Sequence, residues 1–364
     1  MNIPMVDLKG QYETLKDEID TALIEALSAT QFILGPNVQA FENEAANYLG
    51  VDHAVGVASG TDALHLALEA AGVGAGDEVI TTPFTFIATA EAISYLNARP
   101  VFVDIDPYTF NIDLNQVEQA ITDKTKAVVP VHLFGQPVDM NALKALCDDR
   151  GLLIIEDCAQ SFGAHIDNKM TGSFGKFGAF SFFPSKNLGC FGDGGLITTN
   201  SEQGANEIRV LRNHGSRERY HHNMIGYNSR LDELQAIILR IKLKHIDTYN
   251  QHRRRVAHRY SDALADTSIQ TAYEDGIGLH IYHQYTLLHD ERDRIMQALQ
   301  EHGIACAVYY PIPLHKQEVY QSACRDVHLP VAENVARKCF SLPVYPELED
   351  EKIDMIADVI KGAL

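Results

Sequence analysis

One lysine stands in a setting that suits covalent chemistry. Lys186 lies within SFFPSKNLG (181–189), and the glycine-rich run GDGG (192–195) follows it. Apolar surroundings lower the pKa of a lysine, which can then act as a nucleophilic amine or a general base. The glycines beyond the loop leave room for a flat ligand. The alternative is an ordinary surface lysine whose stem lies along apolar residues.

A second candidate is Asp157, which comes soon after the apolar run 152–155. A carboxylate at the end of a buried strand loses hydration, so it needs a cation or hydrogen-bond donors to offset that loss. Asp157 could therefore hold a protonated ring nitrogen. An ordinary structural ion pair is the alternative.

Two further segments carry groups that suit anions. In ASGTDAL (58–64), Gly60 lets the backbone approach a ligand closely, and Thr61 can cap the helix that follows. The free amides and the dipole of a helix N-terminus suit a phosphate. In YNSRLD (227–232), Asn228 and Arg230 could contact anionic groups. Plain capped helix starts, the second one capped by Ser229, remain the alternatives.

The first three segments follow strand-like runs, and the pattern of the chain indicates how they could meet. From residue 10 to about 200, short apolar runs alternate with helix-like stretches. This predicts an α/β fold with a mostly parallel sheet covered by helices on both faces. Ligands on such sheets bind beyond the carboxyl ends of the strands. The predicted strands are 54–57, 78–82, 101–104, 127–131, 152–155 and 178–183.

The pattern changes near residue 231. Leu234, Ile238 and Ile241 begin a predicted long amphipathic helix that continues toward Tyr260, and a strand (281–288) and a helix (291–302) come after it. Gly303 is predicted to end that last helix. We therefore expect a large α/β domain over residues 1–247 and a smaller α+β domain over residues 248–364.

Together these segments fit one cofactor. Pyridoxal phosphate needs a lysine for a Schiff base, a carboxylate on its pyridine nitrogen, a phosphate cup and an aromatic ring against its face. Lys186, Asp157 and the turn at Gly60 and Thr61 could supply the first three. Phe86, in PFTFIAT (83–89) after a predicted strand, could supply the ring.

Over almost its whole length the sequence resembles the DegT/DnrJ/StrS family of sugar-nucleotide aminotransferases, which are fold type I pyridoxal-phosphate enzymes. The segments that carry the resemblance occur in the same order, which makes chance agreement negligible. They are FILGPNVQAFENEAANYLG, SGTDALHLAL, GDEVITTPFTFIATAEAI, PVFVDIDP, TKAVVPVHLFGQP, IEDCAQSFGA, SFFPSKNLGCFGDGG, GYNSRLDELQA and YYPIPLHKQ.

The resemblance implies a role for each matching residue. Lys186 would bind the cofactor covalently and move a proton between the substrate carbon and the cofactor, and Asp157 would pair with the pyridine nitrogen. A homodimer with two shared sites is implied, because Asn228 would reach the cofactor phosphate from the neighbouring subunit. The other implied cofactor contacts are Gly60, Thr61, Phe86, Gln160 and Ser181.

The reaction and the substrate are also expectations from the resemblance. Members that carry histidine in place of the lysine dehydrate sugars, so Lys186 favours transamination, with L-glutamate giving 2-oxoglutarate and a keto sugar accepting the amino group. Three segments, SFFPSKNLGCFGDGG, RYHHNMIGYNSRLDELQA and YYPIPLHKQ, most resemble the branch that aminates C3 of UDP-2-acetamido-2-deoxy-3-oxo-D-glucuronate. That branch serves bacterial surface polysaccharide (O-antigen and lipopolysaccharide) synthesis. Another 3-keto or 4-keto hexose nucleotide, or a non-catalytic regulatory protein that binds pyridoxal phosphate, are the alternatives.

The substrate contacts follow from the chemistry of such a sugar. We expect Arg230 to pair with the sugar carboxylate, because a planar guanidinium binds carboxylates in fork geometry. Further candidate contacts are Tyr309, Tyr310, His315 and Lys316. Two positions depart from the family pattern, since Cys158 stands where alanine is common and Tyr309 where many C3-aminating relatives carry histidine.

Composition argues against several other classes of protein. The net charge of −19 disfavours nucleic-acid binding, which depends on neutralising phosphates. The chain has no apolar run of the roughly 18 residues that a membrane span needs and no signal-peptide pattern, so we expect a cytoplasmic protein without membrane contact. The six cysteines have no C-x-x-C pair and are expected to be reduced, and the histidines complete no metal-ligand spacing.

Overall fold

The computed structural model describes residues 2–218 and 220–364. Its strands are β1 (His53–Val57), β2 (Glu78–Thr81), β3 (Arg99–Phe102), β4 (Thr125–Val129), β5 (Leu153–Asp157), β6 (His165–Ile166), β7 (Lys169–Met170), β8 (Phe177–Ser181), β9 (Gly195–Thr199), β10 (Ser216–Glu218), β11 (His221–His222), β12 (Tyr285–Leu288) and β13 (Cys339–Leu342). Its helices are α1 (Leu8–Ala29), α2 (Pro36–Leu49), α3 (Gly60–Ala70), α4 (Ala88–Tyr95), α5 (Leu114–Ala120), α6 (Met140–Arg150), α7 (Glu202–Leu211), α8 (Glu233–Leu243), α9 (Ile246–Leu264), α10 (Arg292–Glu301), α11 (Glu318–Gln321), α12 (Pro330–Lys338) and α13 (Asp350–Ala363).

The central sheet confirms the predicted α/β fold. Within the described part of the chain, seven strands form it in the order β1-β9-β8-β5-β4-β2-β3. The pairs β2–β3, β2–β4, β4–β5 and β5–β8 are parallel, whereas β9 is antiparallel to both β8 and β1. β1 and β8 therefore run in the same direction as β5. The carboxyl ends of these three strands lie at one edge of the sheet.

Both faces of the sheet are covered, because neighbouring residues of a strand point to opposite sides. On one side, Val79 and Ile155 belong to a buried cluster that includes Leu64 of α3 and Ile208 of α7. On the other side, Ile80, Val128 and Ile154 pack with Met140 and Leu143 of α6. This two-sided burial explains why the strands are short, nearly continuous apolar runs.

The prediction of one long helix after residue 231 is wrong. The chain forms two helices, α8 and α9, with a break at Lys244 and His245. The two helices pack on different cores. Ile238 and Ile241 of α8 belong to a cluster with Leu15 and Ile19 of α1, whereas Tyr260 of α9 belongs to a second core around β12 and β13. His245 keeps near-helical dihedral angles (φ −110°, ψ −1°), so the apolar period continues across the break and does not reveal it.

A second core forms around the antiparallel pair β12–β13. Tyr260, Tyr285, Phe340 and Ile353 are among its buried residues, and Ile3 from the N-terminus joins them. β12 is shorter than the predicted strand. Helix α10 ends as predicted, with Gly303 at φ +72°. The division at residue 247 places most of this core in the C-terminal domain and stays a prediction.

Two expectations from composition have structural counterparts. All six cysteines are free, as predicted. Among the described residues, no helix combines the length and the apolar character needed to cross a membrane.

Candidate active site

Asp157 is the last residue of β5, and it is buried. Its Oδ2 accepts a hydrogen bond from Thr89 Oγ1 (2.8 Å), and its Oδ1 accepts one from Ala159 N (3.1 Å). Burial raises the pKa of Asp157, while these two hydrogen bonds and the charge of Lys186 oppose the rise. Each carboxylate oxygen can accept a further donor. The site therefore holds a carboxyl group that a cationic partner would stabilise.

Lys186 lies in the loop after β8, and its backbone N donates to Phe183 O (2.8 Å). Burial lowers the pKa of Lys186 to about 8, and the charge of Asp157 acts in the opposite direction. The residue as a whole is partly exposed, whereas the lowered pKa reflects burial of the amine. At mildly alkaline pH a substantial fraction of this amine is unprotonated, which a nucleophile or proton acceptor requires.

The turn before α3 forms a tight cradle against the end of β8. A Cβ atom placed on Gly60 would lie 2.5 Å from Cβ of Ser181, so no larger residue fits there. The predicted cap at Thr61 is wrong, since Ser59 is extended and its Oγ accepts from Asp62 N (3.1 Å), whereas Thr61 already lies in the first helical turn. The first amides of a helix have no partner within the helix, which leaves them available to an anion.

Gln160, Tyr310 and Phe86 form a connected set of predicted contacts. Gln160 Oε1 accepts from Phe134 N (2.8 Å), and its Nε2 donates to the hydroxyl of Tyr310 (3.0 Å). The Tyr310 ring lies 6.4 Å from that of Phe86, which is 57% exposed and open to a ligand. The charge of Asp157 helps to raise the pKa of Tyr310, after the larger effect of burial. Tyr310 therefore lies beside the predicted cofactor contacts.

Asn228 and Arg230 contact each other, and the residue between them is hydrogen-bonded to the segment that forms the cradle. The Arg230 guanidinium donates to Asn228 Oδ1 (2.7 Å) and to Asn213 Oδ1 (3.1 Å). Ser229, between them, donates to Asp62 Oδ2 (2.6 Å) and accepts from Ala58 N (3.1 Å). Ser229 is therefore not a helix cap, and Asp232 caps α8 instead. Whether Asn228 serves its own subunit or a neighbour stays a prediction.

Three other predicted contacts lie farther along the chain. The Tyr309 ring is 6.0 Å from that of Tyr310. His315 is buried with its Nε2 3.0 Å from Glu333 Oε1, and Lys316 Nζ lies 3.1 Å from the same oxygen. Glu333 thus occupies both groups, and their contact with a nucleotide sugar stays a prediction.

Comparison with known proteins identifies the family of this chain. The DegT/DnrJ/EryC1/StrS aminotransferase family matches residues 13–361. The chain belongs to this family. Like its named relatives, it is a sugar aminotransferase.

Three curated relatives align with this chain over nearly their full length. A UDP-N-acetyl-3-dehydro-alpha-D-glucosamine 3-aminotransferase of Acidithiobacillus ferrooxidans is 49% identical over 100% of this chain and 98% of the relative. A UDP-2-acetamido-2-deoxy-3-oxo-D-glucuronate aminotransferase of Pseudomonas aeruginosa is 43% identical over 97% and 98%. A pleiotropic regulatory protein of Geobacillus stearothermophilus is 48% identical over 99% and 98%.

A solved structure of the family has nearly the same fold. The crystal structure of Streptomyces venezuelae DesV in complex with a ketimine intermediate superposes with a TM-score of 0.97 and 42% identity, covering 100% of this chain and 98% of that one. Pyridoxal phosphate is the cofactor of the DegT/DnrJ/EryC1/StrS family and of this member.

The residues present fit this cofactor. Gly60 and Ser181 form a cradle that an added Cβ would fill, each oxygen of the buried Asp157 carboxyl can accept a further donor, and Lys186 has a lowered pKa. The bound cofactor would act as an electron sink for the bonds at the amino-bearing carbon. Asp157 would keep the ring nitrogen protonated, and the Lys186 amine would take up and return a proton at the substrate carbon.

Sequence reasoning missed the residue that orients Asp157. Thr89, on α4, donates to the carboxylate across a separation of 68 residues and also lies 3.2 Å from the hydroxyl of Thr85. The only signal was the pair of threonines spaced four apart, and Thr85 lies before α4 rather than on it.

A buried cluster next to the site has a structural role. Glu156 accepts from the backbone N of Gly172, Phe174 and Gly175 at 2.8 Å each, and its Oε2 lies 3.1 Å from His132 Nε2. His132 Nδ1 accepts from Val138 N (3.0 Å). Because His132 Nδ1 accepts from Val138 N, the ring proton lies on Nε2 and faces Glu156, so neither ring nitrogen is free to bind a metal.

Proposed function

We propose that this protein transfers the amino group of L-glutamate to C3 of a UDP-linked 2-acetamido-2-deoxy-3-keto sugar, with the 3-oxo-glucuronate as its substrate, for bacterial surface polysaccharide. The names of two full-length relatives support the shared part of this substrate. Both specify a UDP sugar with an N-acetyl group and a keto group at C3, and they differ at C6, which carries a carboxylate only in the glucuronate.

The observation that carries the choice of glucuronate is the surroundings of Arg230. Its guanidinium contacts two neutral amide oxygens, of Asn213 and Asn228. Over residues 2–218 and 220–364, none of the ion pairs of the structure involves Arg230, and its side-chain partners are these two amides. A cation with neutral partners can still form a charge-assisted pair with a ligand carboxylate. Ser229 ties this group to Ala58 and Asp62 beside the cradle.

The uncharged 3-keto-glucosamine nucleotide is a second candidate. The relative with that substrate in its name is 49% identical to this chain, against 43% for the glucuronate enzyme. A hydroxymethyl group at C6 needs no cationic partner. The two candidates therefore make opposite demands on Arg230.

The test measures kcat/KM on both keto sugars, with glutamate as donor, for the wild type, Arg230→Ala and the control Arg209→Ala. Arg209 is also an arginine bonded to an amide oxygen, that of Asn206, on the exposed face of α7. Since a hydrogen bond to a charged group contributes about 1.5–3 kcal/mol, we expect Arg230→Ala to lose roughly 10- to 100-fold on the keto uronate and little on the uncharged sugar. Equal losses on both sugars contradict the carboxylate contact.

A further inference from the structure

The side-chain amide of the residue after Lys186 has hydrogen-bond partners at both its nitrogen and its oxygen. Asn187 is 4% exposed. Its Nδ2 donates to Asn250 Oδ1 (2.8 Å) and to Ile281 O (3.3 Å), and its Oδ1 lies 3.1 Å from His283 Nδ1. Partners at both the nitrogen and the oxygen hold this amide in one orientation.

These contacts also fix the proton on His283. A backbone carbonyl can only accept, so the side of Asn187 that faces Ile281 O must be the nitrogen. The other side, the amide oxygen, can only accept from His283. The proton of the imidazole is therefore on Nδ1. Asn250 supports the same assignment, because its own Nδ2 donates to Phe162 O (3.0 Å) and its Oδ1 is free to accept from Asn187.

His283 is held in place and is uncharged. Its backbone N donates to Phe134 O (2.7 Å), and its ring is buried. Burial holds the pKa of His283 well below its usual range, and the charges of Lys186 and Arg253 act in the same direction. A neutral imidazole near the Lys186 amine adds no repulsive charge to it.

The groups that hold Asn187 come from a distant part of the chain. Asn250 lies on α9, and Ile281 and His283 lie in the segment before β12, whereas Lys186 follows β8. We propose that His283 and Asn250 are positioning residues for Lys186. By binding Asn187, they fix the peptide that carries the predicted catalytic amine and keep this amine in its buried orientation. This proposal does not depend on which keto sugar is the substrate.

The test follows the Lys186 amine itself and needs no sugar. Protein reconstituted with pyridoxamine phosphate leaves this amine free, and trace acetylation by acetic anhydride across a pH series, followed by mass spectrometry, reports its titration. We expect a midpoint below 10.5, the ordinary value of a lysine amine, because burial lowers the pKa of Lys186. In His283→Leu, greater access to water should raise the midpoint by about one unit and slow labelling at pH 7 about tenfold.

Two variants separate positioning from general packing. His283→Asn keeps an amide donor near the place of Nδ1 and should restore the wild-type midpoint. His280→Leu is the matched control, because His280 is buried on the same segment and its Nδ1 accepts from Tyr282 N (3.0 Å), without contact to Asn187. Its midpoint should equal that of the wild type.

The outcomes are distinct. An unchanged midpoint in His283→Leu, an equal shift in His280→Leu, or failure of His283→Asn to restore the midpoint overturns the proposal. Thermal unfolding establishes that each variant is folded. If His283→Leu does not fold, Asn250→Ala takes its place, since it removes one acceptor from Asn187; a midpoint raised in the same direction supports the proposal, and a wild-type midpoint overturns it.

Discussion

Asp157 and Lys186 share one cause for their unusual titration. Burial raises the pKa of the carboxyl and lowers that of the amine, because it disfavours the charged form of each. Each residue's charge opposes the shift of the other. A bound cofactor with a protonated ring nitrogen would supply the cation that the Asp157 carboxylate lacks.

The first prediction concerns the charge of Asp157. Asp157→Asn should lower turnover by at least about 100-fold, because a neutral amide cannot stabilise the protonated ring. The fold should persist, since the amide can still accept from Ala159 N and can donate to Thr89. Single-turnover kinetics and thermal unfolding measure the two effects. A loss below tenfold would show that the carboxylate charge is not needed.

The second prediction concerns the cradle. Gly60→Ala places a Cβ 2.5 Å from Ser181 Cβ, so we expect cofactor affinity to fall at least about tenfold, by 1.4 kcal/mol or more. Gly74→Ala is the control, because nothing lies within 4 Å of its added Cβ. Fluorescence titration of apoprotein with pyridoxal phosphate measures both affinities. Equal affinities for the two variants contradict a phosphate site at Gly60.

At the scale of elements, α8 supports the loop that carries Lys186. Lys242 is almost fully buried, its Nζ donates to Gly189 O (2.8 Å), and it lies 4.6 Å from the centre of the Phe191 ring. Burial lowers the pKa of Lys242 to about 8. The helix thus holds this loop with a buried amine.

The third prediction is a pH dependence of stability. Between pH 8 and about 10.5, the unfolded chain keeps a proton on Lys242 that the folded chain has lost, so folded stability rises with pH. Lys242→Met lacks this rise, and the wild type should gain roughly 1.4 kcal/mol per pH unit relative to it over that range. Urea unfolding at several pH values measures the difference. Lys244→Met, at an exposed ion pair with Glu18, is the control and should show no such trend.

Some of these elements could be predicted from sequence, and others could not. Asp157 comes soon after the apolar run 152–155, so the end of that buried strand is visible as a change from apolar to polar residues. The end of β8 at Ser181 is not visible, because Phe182 and Phe183 continue the apolar run. The break at His245 is not visible, because the apolar period runs through it. The cap at Ser59 rather than Thr61 depends on where the strand's extended backbone stops. The contact of Thr89 with Asp157 depends on tertiary packing, which local patterns do not report.

At the scale of the molecule, we expect the surface near Asn228 to be part of the interface of the predicted homodimer. Asn228 is exposed, and Ile225, three residues before it, is 86% exposed. The adjacent Met224 is also exposed, and neighbouring exposed apolar side chains are candidates for burial against a partner. A second subunit that covers this segment would bring Asn228 toward the neighbouring site.

The fourth prediction is complementation between two inactive subunits. Mixed dimers of Lys186→Ala and Asn228→Ala contain one site with both residues intact only if Asn228 acts across the interface. Co-refolding the two variants should then restore roughly a quarter of wild-type activity, because half of the dimers are mixed and each has one intact site. Activity no higher than the sum of the separate variants contradicts a shared site.

The most direct measurement for the whole account is the site of covalent attachment. Holoprotein treated with borohydride, which reduces an imine to a stable amine, should carry the cofactor mass on the peptide containing Lys186 and on no other lysine. The Lys186→Ala protein, treated in the same way, should carry none. Cofactor bound to a different lysine, or no attachment in the wild type, would contradict the assignment of Lys186.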